Sequence, residues 1–333
     1  MIPDKHHAVP GEPVVRTRRT VAREELDALT APPSPIDLEL LASMPTLPLR
    51  ARYLVNGYLT GRHASLVKGT APEFAEYRTY QCGDDLRRLD WRLYARSDRL
   101  VVKQFQDENQ LQITLALDLS ASLRYASRPK TMTKLDVART ALAAVALLAR
   151  RQNDAIGVAL FGDREGDDGA VLDYLRHSAS VAHYHTVLDK LEVVPAVDTA
   201  SVVRGLQSVA MLARNGGLVV VASDFYDDLE AIADTLRLLR ARRLDVIGIQ
   251  VLDPMEVEFA IDTAGRFVDL ETGGYLPLNS AAVRAGYLER FSAFRRQLAE
   301  VFREHDAELV PLQTDKSPLP VLAAYLARRA RLV

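Results

Sequence analysis

The sequence of 333 residues has little of what would place it in several common classes of protein. It has one cysteine, Cys82, so it can form neither an internal disulfide nor a multi-cysteine metal site. It has no excess of positive charge, because 42 Lys and Arg stand against 44 Asp and Glu. This balance argues against nucleic acid as a partner, since binding to phosphates requires a basic surface.

Long apolar runs are also missing. The richest, "ALAAVALLA" at 141–149 and "GLVVVA" at 217–222, are too short to cross a bilayer, which takes about 20 residues. The N-terminus has no apolar run of the kind found in a signal peptide. A single cysteine fits a reducing compartment. We therefore expect a cytoplasmic protein without a membrane span.

The sequence contains none of the motifs Walker A, G-x-G-x-x-G, H-E-x-x-H and G-x-S-x-G, which identify common nucleotide-binding and catalytic sites. His183 and His185 lie two residues apart on a predicted helix and therefore point to different faces, which favours surface histidines over metal ligands. The acidic stretch "GDREGDDG" at 162–169 lacks the spacing of a calcium-binding EF-hand and is interpreted as a solvated loop.

The first third of the chain divides into two segments of different composition. Half of the 16 prolines lie before residue 50, which predicts a flexible, Pro-rich leader over residues 1–48. Residues 49–110 mix acidic and basic side chains and predict a charged segment with a short helix and strands. In this segment we expect Trp91 to anchor a core, and the strand "RLVVKQF" to form an antiparallel hairpin with the strand that begins at residue 112.

From residue 111 to residue 333 the sequence alternates between apolar strands and amphipathic helices. Thr133 and Asp136 predict a capping box at the start of the first of these helices. Buried strands alternating with helices predict an α/β fold, with a mostly parallel sheet and helices on both faces. A hairpin insertion is expected near residues 254–279, followed by a long helix, a strand and a closing helix.

Oxygen-bearing side chains follow the ends of two predicted strands. The strand "QITLALDLSAS" ends in Asp118, Ser120 and Ser122, "GLVVVAS" is followed by Asp224, and Thr199 precedes the intervening helix. Because ligands of open α/β sheets bind at the carboxyl ends of the strands, these five residues predict a site for Mg²⁺ or Mn²⁺. The set contains no histidine or thiolate, which argues against zinc. Alternatively, the serines cap the next helix or turn and the two aspartates are solvated.

Two patterns resemble a known family. The D-x-S-x-S triplet with a later Thr and Asp resembles the metal-ion-dependent adhesion site of von Willebrand factor A domains. The block "GTAPEFAEYRTYQCGDDLRRLDWRLYARSDRLVVKQFQDE" resembles the hallmark of the bacterial domain-of-unknown-function family fifty-eight. The resemblance implies a von Willebrand factor A-like, Rossmann-like fold and a MoxR-type AAA+ ATPase, or its client protein, as the partner. Thr199 lacks the Gly-Thr-Asp setting often found in that family.

The hallmark block is rich in charge of both signs. It could form an ion-pair network that fastens this segment to the following domain, present a docking face, or be a solvated surface. With the family resemblance we favour a structural network that also shapes the partner surface. Its candidate members are Glu73, Glu76, Arg78, Asp84, Asp85, Arg87, Asp90 and Arg96.

Three hypotheses for function follow. The first is a non-enzymatic interaction module whose metal receives an acidic side chain of a partner, as an adaptor or co-chaperone of the ATPase. The second is a Mg²⁺-dependent hydrolase or phosphotransferase that uses Asp118 as nucleophile or Asp224 as general base, which is disfavoured because no lysine is predicted at the strand ends. In the third, the charged block around Arg87 and Arg88 is the true interface.

Overall fold

The structure is a computed structural model that describes residues 36–61, 74–80, 91–97, 100–105, 110–128, 131–162, 171–195, 197, 200–260, 265–268, 274–278 and 280–332. The helices are α1 (Leu38–Ser43), α2 (Leu47–Gly61), α3 (Trp91–Ser97), α4 (Lys134–Arg151), α5 (Val181–Val193), α6 (Val202–Leu212), α7 (Leu229–Ala241), α8 (Pro254–Glu258), α9 (Ser280–Glu304) and α10 (Leu319–Leu332). The strands are β1 (Phe74–Thr79), β2 (Val101–Phe105), β3 (Gln112–Asp118), β4 (Ala155–Phe161), β5 (Val171–Ser178), β6 (Gly217–Ser223), β7 (Leu244–Leu252), β8 (Gly265–Val268), β9 (Tyr275–Leu278) and β10 (Glu308–Gln313).

Six strands form one sheet in the order β10-β7-β6-β3-β4-β5. All neighbouring pairs are parallel except β4 and β5, which are antiparallel. The central strands are buried along nearly their whole length, as their continuous apolar sequences require of a sheet covered on both faces. The predicted α/β class with a mostly parallel sheet is confirmed.

Two apolar clusters cover the two faces of the sheet. On one face, Leu115 of β3 belongs to the same cluster as Leu54 of α2, and residues of α4, α5 and α10 complete it. On the other face, Ala116 belongs to a cluster with residues of α6, α7 and α9, among them Phe302. Successive residues of β3 therefore point into opposite cores, as the two-residue period of a strand requires.

Ordered structure is present before residue 48, so that part of the leader prediction is wrong. Asp37 caps α1 by accepting hydrogen bonds from the backbone N–H groups of Glu39 and Leu40. Leu41 and Leu47 are buried in the same apolar cluster as the helices behind the sheet. Residues 1–35 lie outside the described residues.

Two predictions for the charged segment are wrong. β2 pairs with β1 in an antiparallel ladder and not with β3, because both edges of β3 are occupied by parallel neighbours, β4 and β6. Trp91 is no core anchor, because 59% of it is exposed and its ring packs edge-on against Tyr94 on the next turn of α3.

Other local predictions are confirmed. Thr133 and Asp136 form the predicted capping box, so α4 begins at Lys134. The insertion after β7 contains the predicted hairpin, in which β8 and β9 are antiparallel. Within the described part of the chain, no helix is both long and apolar enough to cross a membrane.

Candidate functional site

Four of the five predicted metal ligands meet at the edge of the sheet where its parallel strands end, here called the carboxyl edge. β3 and β6 are neighbours in register, which brings Asp118 and Asp224 to the same end of the sheet. The Ser122 hydroxyl, 102 residues away in sequence, donates a hydrogen bond of 2.7 Å to Oδ2 of Asp224. Thr199 lies outside the described residues, and its role stays a prediction.

The Asp118 carboxylate is buried and fixed at both oxygens. Oδ1 accepts a hydrogen bond of 2.8 Å from the backbone N–H of Ser120, and Oδ2 accepts one of 2.5 Å from the hydroxyl of Ser223. Burial, followed by the negative charge of Asp224, raises the pKa of Asp118 to about 7, although the hydrogen bonds of Ser223 and Ser120 oppose this shift. Among the described residues, no Lys, Arg or His side chain forms an ion pair with Asp118.

Ser223 was missed by the sequence prediction. As the last residue of β6 it lies across from the end of β3, and its hydroxyl also accepts a hydrogen bond of 2.9 Å from the N–H of Phe225. The signal that could have identified Ser223 is its position as a polar residue at the end of an otherwise apolar strand.

The alternative interpretation, with capping serines and solvated aspartates, is wrong for these side chains. Ser120 is the N-cap residue of the 3₁₀ helix Ala121–Arg124, yet its side chain makes no capping hydrogen bond. Its hydroxyl lies 3.0 Å from that of Ser122. Asp118 and Asp224 are each only 3% exposed. The hydroxyls and carboxylates thus face one another.

A lysine also lies at this edge, contrary to the prediction that none would. The ammonium group of Lys134, at the start of α4, is 3.0 Å from Oδ2 of Asp224 and 2.8 Å from Oε1 of Glu256 on α8. Its side chain is fully buried. Burial lowers the pKa of Lys134, but the charges of Asp224 and Glu256 outweigh this effect, so the pKa is raised and the ammonium form is favoured.

Glu256 is held in place by a second capping box. Its Oε2 accepts a hydrogen bond of 2.7 Å from the N–H of Asp253, whose own carboxylate accepts one from the N–H of Met255 at the start of α8. The sequence "DPME" carries this signature, since an acid followed by Pro and an acid three positions later is typical of a helix start. The two capped helices thus aim Lys134 and Glu256 at each other.

Aromatic side chains form a rim beside these charges. The ring of Tyr226 is half-exposed, and its centroid lies 5.3 Å from the Lys134 nitrogen and 5.9 Å from the ring of Phe294 on α9. Between Asp224 and Tyr226, Phe225 has a φ of 61° with a fully buried ring. Left-handed backbone at a bulky residue is strained, and such strain is common at functional sites.

The donor set fits a hard divalent cation. Neighbouring ligands of an octahedral Mg²⁺ with bonds of 2.0–2.1 Å are about 2.9 Å apart, close to the 3.0 Å between the two serine oxygens. Because Ser122 donates its proton to Asp224, Ser120 is the donor between the two hydroxyls, which leaves one further lone pair of Ser122 for a cation. Among the described residues no three His, Cys, Asp or Glu side chains are placed to hold a metal, so a metal here would depend on the serine hydroxyls.

Five of the eight members of the predicted ion network lie outside the described residues. They are Glu73, Asp84, Asp85, Arg87 and Asp90. Glu76 and Arg78 lie on β1, and Arg96 is exposed on α3. The network therefore stays a prediction.

The two histidines on α5 differ from each other. His183 is half-buried and its Nε2 makes a hydrogen bond of 2.8 Å with the carbonyl oxygen of Ile156, so the prediction of a surface histidine is wrong there. His185 is exposed, as predicted. Residues 163–169 of the acidic loop lie outside the described residues.

Comparison with known sequences gives a family match. The profile of the family "Protein of unknown function DUF58" matches residues 76–297. An uncharacterised protein of Mycobacterium tuberculosis is 31% identical to this chain over 317 residues, which cover 91% of this chain and 96% of the relative.

Solved structures give more distant matches. An aerotolerance-related membrane protein from Bacteroides fragilis has 16% identity and a TM-score of 0.46, and the match covers 66% of this chain and 99% of that one. The VWA domain of SpRpn10 has 9% identity and a TM-score of 0.38, with coverage of 65% and 95%. Similarities at this level carry no information on function.

Proposed function

The chain belongs to the DUF58 family, and from this premise we propose that it is a non-enzymatic protein-interaction module with a Mg²⁺- or Mn²⁺-dependent docking site at the carboxyl edge. Asp118, Ser120, Ser122 and Asp224, together with Thr199, would hold the metal. When bound, the ion would offer an open coordination position to an acidic side chain of a partner. The chain itself orients the hydroxyls and carboxylates around that position.

The observation that carries this proposal is the hydrogen bond from Ser122 to Asp224. It joins the segments after β3 and β6 and directs the proton of the Ser122 hydroxyl to Asp224. A serine that only satisfied the local backbone would have no reason to reach a buried carboxylate 102 residues away. The arrangement supports a preorganised set of oxygen ligands.

The proposed partner is a MoxR-type AAA+ ATPase or its client protein, as the family resemblance implies. The surface beside the site supports a protein partner, because the half-exposed Tyr226 lies at its rim. Aromatic side chains at the centre of an interface often supply much of the binding energy. In this proposal the acidic side chain of the partner would approach next to Tyr226.

The proposal is tested by pull-down of a MoxR-type ATPase from the same organism on the full chain, with Mg²⁺ and with EDTA. We expect binding in Mg²⁺, loss in EDTA, and loss in Ser120→Ala. The matched control is Ser292→Ala, the same change at an exposed serine of α9, which should bind normally. Binding that is unaffected by EDTA and by Ser120→Ala would contradict the metal-dependent site.

A second candidate function gains support from one observation. A Mg²⁺-dependent hydrolase or phosphotransferase was disfavoured for want of a lysine, yet Lys134 lies 3.0 Å from Asp224. A lysine beside paired carboxylates is a common element of such sites. Against this, both Asp118 oxygens accept hydrogen bonds and the Lys134 ammonium is shielded from solvent.

Turnover assays separate this candidate from the first. Mg²⁺-dependent hydrolysis of any member of a phosphoester panel, abolished in Asp118→Asn, would favour the enzyme. We expect no turnover.

The third hypothesis places the interface on the charged block. In that case, reversing the charges of Arg87 and Arg88 would abolish binding of the ATPase while Asp118→Ala would leave it intact. The same pull-down, with these two variants added, decides between the two surfaces.

A further inference from the structure

The geometry of the carboxyl edge assigns a role to Lys134 that goes beyond the ligands themselves. We propose that Lys134 is an internal cation that competes with the metal for Asp224 and thereby sets the metal affinity of the site. This inference rests on the proposed metal site and deepens it. It concerns a residue that is not itself a metal ligand.

The competition centres on one atom. Oδ2 of Asp224 accepts the Ser122 hydroxyl at 2.7 Å and the Lys134 ammonium at 3.0 Å. A divalent ion held by the Ser122 hydroxyl would therefore lie close to the ammonium group, and two like charges at short range in a buried site repel strongly. Either the metal is bound weakly or the ammonium moves away from Asp224.

Lys134 has a second partner that makes such a shift possible. Glu256 lies 2.8 Å from the ammonium, and its other oxygen is fixed by the N–H of Asp253. The ammonium can thus release Asp224 and still be paired, which avoids the large cost of an unpaired buried charge.

The charges around the site favour the same exchange. Asp118, Asp224 and Glu256 are connected through the described hydrogen bonds and ion pairs to one ammonium group, Lys134. With all groups ionised, three negative charges and one positive charge leave a net charge of about two negative, which a divalent ion would neutralise. Lys134 thus reduces the charge of the site without cancelling it.

The test is a calorimetric titration of the full chain with MgCl₂. Lys134→Met removes the competing charge, and we expect the dissociation constant for Mg²⁺ to fall about tenfold or more. Glu256→Gln leaves the ammonium with Asp224 alone, and we expect the dissociation constant to rise about tenfold. The matched control is Lys190→Met, which removes a lysine paired with Asp173 away from the site and should leave Mg²⁺ affinity unchanged.

The outcomes separate this inference from the proposed function. If the unmodified chain binds Mg²⁺ and Lys134→Met binds it more tightly, both stand. If the unmodified chain fails to bind but Lys134→Met binds, Lys134 is the competing cation and the proposed Mg²⁺-dependent function fails. If the unmodified chain binds and Lys134→Met binds equally or more weakly, the inference is overturned while the metal site stands. If neither chain binds, both are overturned.

Circular dichroism melts show whether each variant is folded. Should Lys134→Met fail to fold, Glu256→Gln decides, because weaker Mg²⁺ binding supports the competition and unchanged or tighter binding overturns it. A second readout uses the unmodified chain labelled with ¹⁵N-lysine. Addition of Mg²⁺ should shift the ammonium resonance of Lys134 and leave that of Lys190 in place, and a Lys134 resonance unmoved by saturating Mg²⁺ would overturn the inference.

Discussion

Buried aspartates lie at both ends of the sheet, but they differ in how far a neighbouring cation balances their charge. At the amino edge, where the parallel strands begin, Asp154 is fully buried and binds Arg329 through hydrogen bonds of 2.6 and 3.0 Å. The same carboxylate accepts further hydrogen bonds from the Leu111 N–H and the Tyr325 hydroxyl. Each of its oxygens is satisfied, and its charge is matched by one guanidinium.

At the carboxyl edge the charges are not matched. Among the described residues, Asp118 accepts hydrogen bonds from neutral donors alone, and Asp224 shares Lys134 with Glu256. An arrangement that lowers stability without an evident structural benefit is typical of a site kept for binding. The comparison therefore separates an edge whose aspartate is matched by a cation from the edge at which we propose that a metal binds.

The largest expected loss of stability comes from breaking the ion pair at the amino edge. Asp154→Asn removes the negative charge that Arg329 binds, and we expect the free energy of unfolding to fall by about 3 kcal/mol, because one partner of a buried ion pair is lost. Urea denaturation measures this loss. The response to Mg²⁺ should remain, and a loss below about 1 kcal/mol would contradict a structural role for this edge.

The matched control for that variant is Asp234→Asn. Asp234 pairs with Arg237 on the exposed face of α7, where both side chains are about two-thirds in solvent. Such a pair contributes less than about 1 kcal/mol, so the midpoint of urea denaturation should hardly move.

Mg²⁺ should stabilise the protein through the carboxyl edge. A ligand at 100 times its dissociation constant adds about 2.7 kcal/mol, which corresponds to a rise of about 5–10 °C in melting temperature. Differential scanning fluorimetry should show this rise in the unmodified chain and in Asp154→Asn, but not in Ser120→Ala. A rise in melting temperature that persists in Ser120→Ala would show that Mg²⁺ binds elsewhere than at these serines.

Acid is expected to weaken the fold at a third place, the edge strand β5. Burial, followed by the positive charges of Arg214 and His183, lowers the pKa of His177 from 6.5 to about 4, and its Nε2 lies 2.9 Å from the Thr114 hydroxyl. As the pH falls, His177 becomes protonated near pH 6.5 in the unfolded chain but only near pH 4 in the folded protein. The stabilisation present above pH 6.5 is therefore lost as the pH falls towards 4.

Urea denaturation between pH 7 and pH 4, with EDTA present, measures that loss, which should be up to about 3 kcal/mol from this residue. In His177→Gln the loss should be smaller by that amount. An identical pH profile in this variant would show that the acid sensitivity comes from residues other than His177.

The smallest expected effect is the counterpart of the first. Asp118→Asn makes the same change as Asp154→Asn but at a carboxylate that no described cation contacts. In EDTA we expect the free energy of unfolding to change by less than about 1 kcal/mol, and an increase is compatible with the comparison. A loss as large as that of Asp154→Asn would remove the distinction between the edges.

Part of the site was readable from the sequence because it follows from strand ends. Once β3 and β6 are neighbouring parallel strands, the residues after them must meet, so Asp118, Ser120, Ser122 and Asp224 could be grouped in advance. Lys134 could not be grouped in the same way. It begins a helix, and its direction depends on how α4 packs against the sheet.

Trp91 and the β1–β2 pair show the same limit in the charged segment. An aromatic residue in an amphipathic pattern predicted a core, yet the seven-residue α3 leaves it exposed. Two successive strands predicted a hairpin, yet β2 pairs with a strand that precedes it. The local sequence pattern does not indicate which strand pairs with the edge of another strand, or which surface covers the apolar face of a helix.

The sequence by itself determined the alternation of buried strands and helices, the capped start of α4 and the oxygen-bearing side chains at two strand ends, because these depend on periodicity and short-range hydrogen bonds. Only the tertiary structure decided that Lys134 and Glu256 join Asp224, that Ser223 holds Asp118, and that Asp154 is neutralised by Arg329. Each of these contacts joins side chains from separate elements, and their distances are set by packing of helices against the sheet.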